Sequence, residues 1–253
     1  MLLISDVHGA FDAMRAVASR GETLLVLGDL LNLMDYRTGE GITADLLGLD
    51  FARQTALARA RGDYPLMRRL WTERVGDGWE EFRADFEQAV ADQYEASRQA
   101  LTGATAYVTY GNVDRPKLMR EYLPDGVRFV DGESIEIEGV LVGFVGGGIS
   151  TPLGAEGEVS DERMAEKLVQ LGPVDVLCSH LPPNIEPLHR DVITGRLERA
   201  SQPILDYLRE HRPRFHFFGD VHQPQATRWT VGKTLCRNVG YFRATKRAVR
   251  FTP

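Results

Sequence analysis

The length, composition and charge of the sequence exclude several classes of protein. Its 253 residues are 43% hydrophobic, which is enough for the core of one large domain or of one domain with an insertion. The 30 basic and 36 acidic residues give a net charge of −6, so nothing indicates nucleic acid or an anionic membrane as an obligatory partner. Two cysteines cannot form a disulfide framework. Because a first strand at Met1 leaves no room for a signal peptide and no apolar run approaches the ~20 residues of a membrane span, we expect a cytoplasmic protein.

The first element is a short apolar strand that ends in a metal-ligand pattern. Residues 1–4 are apolar, and after Ser5 the chain reads Asp6, Val7, His8 and then glycine. A carboxylate and an imidazole two residues apart at the end of a strand can face one cleft, and this pair of donors suits Mn, Fe or Zn better than Ca. The pattern is weak alone, because a carboxylate at a strand end also serves to cap the next helix.

The next elements repeat this arrangement. Apolar residues at helical spacing predict a helix over 10–19, and a continuous apolar run predicts a buried strand over 23–27. This second strand runs into Gly28 and Asp29. Two strands that flank a helix and each end in an acid are typical of a layered α/β fold, whose site lies at the carboxyl ends of the strands.

A helical insertion is predicted between about residues 43 and 101. Its composition shifts to Ala, Arg, Glu and Leu, and we expect two or three helices there. The last helix carries one apolar stripe formed by Trp79, Phe82, Phe86, Val90 and Tyr94. Such a stripe is typical of ordinary core packing; the alternatives are a cap over the site or a dimer surface.

The strands resume after the insertion and again end in polar side chains. Apolar runs predict strands over 105–110, 127–130, 134–137, 141–145, 174–178 and 215–218, with helices that begin at Ser160 and Ser201. The first of these strands runs into Asn112 and that over 174–178 into His180. The strand over 215–218 runs into Asp220 and His222, and a hairpin is predicted around 232–233.

The polar side chains at the five strand ends form one candidate set of metal ligands: Asp6, His8, Asp29, Asn112, His180, Asp220 and His222. The set holds only oxygen and nitrogen donors, and its size suits two divalent ions. Asp29 is the natural bridge, since ions about 3.5–4 Å apart can share a carboxylate and a hydroxide that attacks phosphorus. The oxygen-rich set favours Mn²⁺ or Fe over Zn²⁺.

The order of these blocks resembles a known family. Asp-Val-His, Gly-Asp-Leu-Leu-Asn, Gly-Asn-Val-Asp, Ser-His-Leu-Pro and Gly-Asp-Val-His resemble the five signature blocks of the calcineurin-like metallophosphoesterases, and they span residues 6–222. The resemblance implies a four-layer α/β/β/α fold, in which two mixed β-sheets pack face to face with helices outside. It implies one ion on Asp6, His8, Asp29 and His222 and a second on Asp29, Asn112, His180 and Asp220. The helical insertion is not part of the family pattern.

The last block departs from the family, because Asp220 stands where a histidine is usual. An aspartate still binds metal, so we expect both ions to bind. The third carboxylate lowers the formal charge of the site by one unit. We therefore expect a weaker attraction for a dianionic monoester relative to a monoanionic diester.

A second departure concerns the proton donor to the leaving group. Val113 follows Asn112 where many family members have a histidine, and valine cannot donate a proton. Either the natural leaving group departs unaided or another residue supplies the acid. The candidates are Asp114, His189 and Arg115, the last as a charge clamp. For His189 the alternative is an ordinary loop histidine.

Three functions from different classes remain open. The first is a metal-dependent phosphoesterase that acts on phosphodiesters or nucleotide-like small molecules, with a small phosphorylated substrate as its partner. The second is an inactive scaffold that binds proteins, which loss of ligands would mark. The third is a nuclease, which the net negative charge of the chain disfavours. Arginines at 59, 61, 68, 69 and 74 nevertheless fall close together in the insertion. We expect any homodimer to form through the insertion.

Overall fold

A computed structural model describes residues 1–35, 37–151 and 154–253. The chain divides into two compact units. The first contains Met1–Leu30 and Ser97–Pro253, and the second contains Leu31–Ala96. All seven candidate metal ligands belong to the first unit.

The helices and strands follow one another along the described residues in this order: β1 Leu2–Ile4, α1 Phe11–Ala18, β2 Leu24–Leu27, α2 Ile42–Leu47, α3 Leu49–Ala60, α4 Tyr64–Val75, α5 Trp79–Leu101, β3 Ala106–Thr109, α6 Pro116–Glu121, β4 Val127–Phe129, β5 Glu133–Ile137, β6 Val140–Val145, β7 Gly148–Ile149, β8 Glu158–Val159, α7 Asp161–Leu171, β9 Val176–Ser179, α8 Glu186–His189, α9 Gln202–His211, β10 Phe215–Phe218, β11 Arg228–Val231, β12 Thr234–Asn238, α10 Phe242–Thr245 and β13 Val249–Arg250. The predicted strands are present with bounds shifted by one or two residues. The hairpin predicted around 232–233 joins β11 to β12.

Two mixed sheets form the centre of the first unit. The first sheet has the order β13-β1-β2-β3-β4, with four parallel strands and an antiparallel β13 at one edge. The second has the order β11-β12-β10-β9-β6-β5, with four parallel strands between two antiparallel edges. The central parallel strands β1, β2 and β9 are nearly continuous apolar runs, as expected of strands that are buried on both faces.

One hydrophobic core lies between the two sheets. Leu3 and Leu25 from the first sheet share it with Val142, Val176 and Phe217 from the second, and all five are at most 2% exposed. Burying each such side chain stabilises the fold by roughly 1.5–3 kcal/mol before the entropy cost of ordering it. The two sheets therefore pack face to face.

Helices α7 and α9 cover the outer face of the second sheet. Leu177 of β9 points away from the shared core and packs in a second cluster with Met164 and Leu168 of α7 and with Ile204 and Leu208 of α9. The predicted N-caps of both helices form: the hydroxyl of Ser160 accepts from a backbone N–H of α7, and that of Ser201 does so in α9. These layers confirm the predicted four-layer fold.

The second unit is helical and contains more helices than expected. Helices α2, α3 and α4 and most of α5 lie between β2 and β3, so four helices stand where the sequence predicts two or three. The difference arises at Gly48, whose φ of 94° breaks a continuous helix between α2 and α3.

Aromatic packing holds the second unit together. The ring of Trp71 contacts Phe51 edge to face at 5.1 Å, lies stacked on Trp79 at 5.9 Å and contacts Phe82 at 5.5 Å between centroids. The Arg74 guanidinium donates two hydrogen bonds to the carbonyl of Leu47. Two of the five residues of the predicted apolar stripe of α5, Trp79 and Phe82, take part in this packing.

Among the described residues, no helix combines the length and the apolar character that crossing a bilayer requires.

Candidate metal centre

Seven side chains meet where the parallel strands of both sheets end. Four of the seven residues have a left-handed backbone: φ is 58° at Asp6, 41° at His8, 55° at Asp29 and 65° at Asp220. Each non-glycine residue in this region costs about 1–2 kcal/mol. Such turns at successive strand ends let the side chains project into one place. The backbone strain at these four residues is therefore a cost of bringing their side chains together.

The donor atoms gather in two overlapping groups. Ligand atoms of Asp6, His8 and His222 all lie within 4.8 Å of one another, and so do those of Asp6, Asp29 and His180. Asp6 is thus common to both groups, whereas the resemblance implies Asp29 as the shared ligand. Assignment of each ligand to one ion stays a prediction.

Asp29 occupies the middle of the cluster. Its Oδ2 lies 3.5 Å from His8 Nε2 and 3.5 Å from His180 Nε2, one histidine from each expected ion. Its Oδ1 accepts a hydrogen bond from the backbone N–H of Val113 at 3.1 Å. One carboxylate oxygen is therefore held by the protein, and the other faces both histidines.

His180 shows that the site suits a cation. Its Nδ1 is 2.9 Å from the carbonyl oxygen of Leu27, which can only accept, so Nδ1 carries the proton and Nε2 is left as a ligand. Around Nε2 stand three oxygens: Asn112 Oδ1 at 3.2 Å, Asp29 Oδ2 at 3.5 Å and Asp220 Oδ1 at 3.5 Å. A lone pair facing three acceptor oxygens needs a positive charge among them. These residues fit a divalent metal ion.

The electrostatics of the buried groups agree with this interpretation. Burial lowers the pKa of His180, but the charge of Asp29 and hydrogen bonds to Asp220 and Asp29 outweigh it and raise that pKa well above its usual value. Burial raises the pKa of Asp29, but His180 and His8 outweigh it and hold that pKa well below its usual range. The Asp29 carboxylate is therefore ionised and attracts positive charge.

Asp6 and His222 form the other side of the cluster. Asp6 Oδ2 accepts from the backbone N–H of Asp220 at 3.1 Å, which joins two of the ligand turns. Asp6 Oδ1 is buried, accepts no hydrogen bond of ordinary geometry within the part of the chain that the structure describes, and lies 3.4 Å from His222 Nε2. The same oxygen lies 4.0 Å from His8 Nε2. A buried carboxylate oxygen that faces two histidines is again suited to a cation.

Glycines allow the strand ends to approach closely. A Cβ on Gly111 would lie 2.7 Å from Cε1 of His180, and one on Gly219 would lie 2.5 Å from Oδ2 of Asp6. Real Cβ atoms do not approach other atoms so closely. Both positions therefore require glycine because the side chains of His180 and Asp6, which follow other strands, fill the space.

Asp114, predicted as a candidate acid, is held by backbone groups. Its side chain is buried, and it accepts hydrogen bonds from the N–H groups of Asp29 at 2.7 Å, Leu30 at 3.0 Å and Gly111 at 2.9 Å. These bonds favour an ionised carboxylate that joins the ends of β2 and β3. Its role as a proton donor stays a prediction.

The other two residues predicted to assist the leaving group, Arg115 and His189, lie at different helices, α6 and α8. Arg115 is half-buried at the N-cap of α6. His189 is 6% exposed at the end of α8, and its Nδ1 donates to the carbonyl of Glu198 at 2.7 Å, which leaves Nε2 as the second nitrogen. Burial and the nearby charge of Asp220 raise the pKa of Glu198. The Glu198 side chain, which the sequence did not single out, belongs to an exposed residue and is close enough to Asp220 for their charges to interact.

A hydrogen bond between His216 and Ser179 fixes the backbone next to His180. The Ser179 hydroxyl donates to the carbonyl of Leu181 at 2.7 Å, so its oxygen accepts from Nε2–H of His216, also at 2.7 Å. His216 Nδ1 is buried with no hydrogen-bond partner among the residues described. His216 is thus a neutral core histidine, and its bond fixes the residue immediately before His180.

We expect His216 to make the protein sensitive to mild acid. Burial lowers the pKa of His216 to about 3, against about 6.5 in an unfolded chain. The unfolded chain binds the proton first, so stability is complete above pH 6.5 and falls as the pH drops toward 3. The loss at pH 5 is about 2 kcal/mol. Urea denaturation between pH 5 and 7 should show a smaller pH dependence for His216→Phe than for wild type; equal slopes would contradict this.

Comparison with known proteins identifies the family. The family model for calcineurin-like phosphoesterases matches residues 1–224. The chain belongs to the calcineurin-like phosphoesterase family. The family model thus covers all five strand ends of this phosphoesterase, and membership confirms the resemblance predicted from the signature blocks.

Solved structures show the same fold at low sequence identity. One is 17% identical, with a TM-score of 0.61, and the match covers 95% of this chain and 90% of the other. Another, the protein TT1561 of Thermus thermophilus, is 13% identical with a TM-score of 0.57, and the match covers 98% of this chain and 96% of the other. A search of the curated proteins found no match. At these identities the structures support the fold alone.

The sequence missed the residues that surround the ligands. Neither Asn238 nor Tyr241 was among the predicted site residues, yet the Tyr241 ring lies against His8 and His222, two of the candidate ligands. The sequence does contain a pattern that could have indicated these residues. β12 ends in Asn238, and glycine follows two residues later, just as a polar residue and a glycine occur together at most of the other strand ends.

Proposed function

We propose that the phosphoesterase binds two divalent metal ions and hydrolyses phosphodiesters or nucleotide-like small phosphate esters. The observation that carries the proposal is the position of Asp29 Oδ2, 3.5 Å from a histidine of each expected ion. When bound, two divalent ions would neutralise phosphoryl oxygens and lower the pKa of a water molecule to make it a nucleophile. Mn²⁺ or Fe is favoured over Zn²⁺ by the oxygen-rich ligand set.

The chain's own residues would hold and orient these components. We propose that Asp6, His8, Asp29 and His222 hold one ion, and that Asp29, Asn112, His180 and Asp220 hold the other. The Leu27 carbonyl fixes the ring of His180, and the Val113 N–H fixes Asp29. Such partners orient ligands before the ion binds.

The protein has Val113 where many family members have a histidine that protonates the leaving group, so protonation of the leaving group requires another residue. We propose His189 as the donor, because Nδ1–H is already committed to the Glu198 carbonyl and only Nε2 remains for a proton transfer. Arg115 is proposed as a clamp for a phosphate oxygen, since its guanidinium stays charged.

The scaffold alternative gains no support from the ligand set, since all seven positions hold residues able to bind metal. The nuclease alternative also gains none, since the net charge is −6. Cytoplasmic localisation, a small phosphorylated substrate and a homodimer through the helical insertion stay predictions.

Hydrolysis by reconstituted protein tests the proposed function. Metal-stripped protein loaded with Mn²⁺ should hydrolyse bis(para-nitrophenyl) phosphate, and removal of the ion by a chelator should abolish turnover. The monoester para-nitrophenyl phosphate should react more slowly than the diester. Protein that binds no divalent ion and hydrolyses neither ester would contradict the proposal.

We expect Asp220→His to shift the substrate preference. Replacing a carboxylate by a neutral ligand raises the charge of the loaded site by one unit, which favours a dianionic monoester over a monoanionic diester. The ratio of diester to monoester kcat/KM should fall roughly tenfold. Asp125→His, at an exposed position outside the site, is the matched control. An unchanged ratio in Asp220→His would show that the third carboxylate does not set the preference.

A further inference from the structure

A segment that begins at the last residue of β12 contacts two of the turns that carry candidate ligands. We call residues 238–243 the bracing segment. On one side, Asn238 Nδ2 donates to the carbonyl of Val221 at 2.9 Å, and the Asn238 Oδ1 accepts from the backbone N–H of Gly240 at 2.7 Å. Because Val221 lies between Asp220 and His222, this amide fixes the last ligand turn.

On its other side, the bracing segment holds the first ligand turn. The backbone N–H of Arg243 donates to the carbonyl of Asp6 at 3.0 Å. The Arg243 guanidinium donates to the carbonyl of His8 at 2.6 Å. The N–H of Phe242 donates to the carbonyl of Ser5 at 3.1 Å. One segment therefore connects the two turns that carry Asp6, His8 and His222.

Tyr241 lies between these two sets of backbone contacts. Its ring is stacked on that of His222, with centroids 3.8 Å apart and planes inclined by 2°. The same ring meets His8 at 5.9 Å and 75°. Tyr241 is only 6% exposed, so its ring is fixed by its surroundings. The ring therefore restricts rotation of two imidazoles at once.

We propose that Tyr241 is a positioning residue that sets the orientation of His222 and His8 for the first metal ion. This inference rests on the proposed function, because it assumes that the two histidines bind an ion. Stacking fixes the ring of His222 before the ion arrives, so less conformational freedom is lost on binding. The ring face supplies this restraint, since the contact with His222 is between parallel planes.

Mn²⁺ binding by two variants of Tyr241 tests the inference. Tyr241→Leu keeps a buried apolar side chain but removes the flat ring, and Tyr241→Phe keeps the ring but removes the hydroxyl. Isothermal titration of metal-stripped protein with Mn²⁺ should show two ions for wild type. In Tyr241→Leu one of them should bind about tenfold more weakly, and the other should be unchanged within twofold. Tyr241→Phe should bind both ions as wild type does.

Tyr207→Leu is the matched control, because Tyr207 is also a buried tyrosine packed on a histidine, His211, that is outside the site. It should lower the melting temperature and leave both Mn²⁺ affinities unchanged. If Tyr241→Leu does not fold, Tyr241→Met replaces it with a more adaptable side chain of similar polarity.

Three outcomes would overturn the inference. They are wild-type affinities for both ions in the folded aliphatic variant, an equal weakening of both ions, and a loss in Tyr241→Phe as large as that in Tyr241→Leu. Failure of wild type to bind Mn²⁺ is a distinct result, since it overturns the proposed function together with everything that rests on it.

Discussion

Asp29→Asn should lower Mn²⁺-dependent hydrolysis of bis(para-nitrophenyl) phosphate on the order of 10³-fold. The substitution keeps the shape of the side chain and the acceptor for the Val113 N–H, but removes the negative charge that lies 3.5 Å from both His8 and His180. Loss of a central electrostatic group in an active site costs on the order of 10²–10³ in rate, and a bridging ligand also affects occupancy by the ions. The measurements are kcat/KM and the number of Mn²⁺ ions bound.

Asp125→Asn serves as the control for this substitution, because it makes the same chemical change at an exposed position. It should retain wild-type turnover and both ions. Asp29→Asn protein that keeps both ions and turns over within tenfold of wild type would show that Asp29 is not the shared ligand. Asp6, common to the two donor groups, would then be the next candidate.

Asp114→Asn should destabilise the protein by about 2–4 kcal/mol and lower activity with every substrate. Three backbone N–H groups, from Asp29, Leu30 and Gly111, donate to this buried carboxylate. The amide of asparagine has one oxygen to accept them, and its NH₂ group would face a donor, so at least one buried N–H loses its partner. Urea denaturation at neutral pH measures the loss in the free energy of unfolding.

The same variant distinguishes a positioning role for Asp114 from the role of a proton donor. A proton donor matters most when the leaving group is poor, so its loss should affect diphenyl phosphate far more than bis(para-nitrophenyl) phosphate. A residue that positions Asp29 should affect both substrates equally. A loss confined to diphenyl phosphate, with unchanged stability, would favour the predicted acid over the arrangement of hydrogen bonds described above.

Much of the fold follows from the local sequence because buried parallel strands are continuous apolar runs. The runs over 23–27 and 215–218 become β2 and β10 nearly unchanged. The residues that follow such runs come together because parallel strands end at the same edge of a sheet. Asp29 and Asp220 were therefore recognisable as candidate ligands without coordinates.

Other features depend on contacts between distant parts of the chain. The stacking of Tyr241 on His222 joins residues nineteen positions apart across two strands, and no periodicity predicts it. The hydrogen bond between His216 and Ser179 likewise appears only when β9 and β10 pair. The break at Gly48 was missed because a single glycine inside a helical pattern is often tolerated.

The left-handed backbone at Asp6, His8, Asp29 and Asp220 has a consequence for engineering this protein. Glycine adopts that conformation without strain, so glycine at any of these positions would relieve backbone strain and at the same time remove a candidate metal ligand. A screen that selects only for heat resistance in metal-free protein exerts no pressure to keep these candidate metal ligands. Stabilising substitutions belong elsewhere, in the cores between the sheets and beneath the outer helices, and each should be checked for retained metal binding.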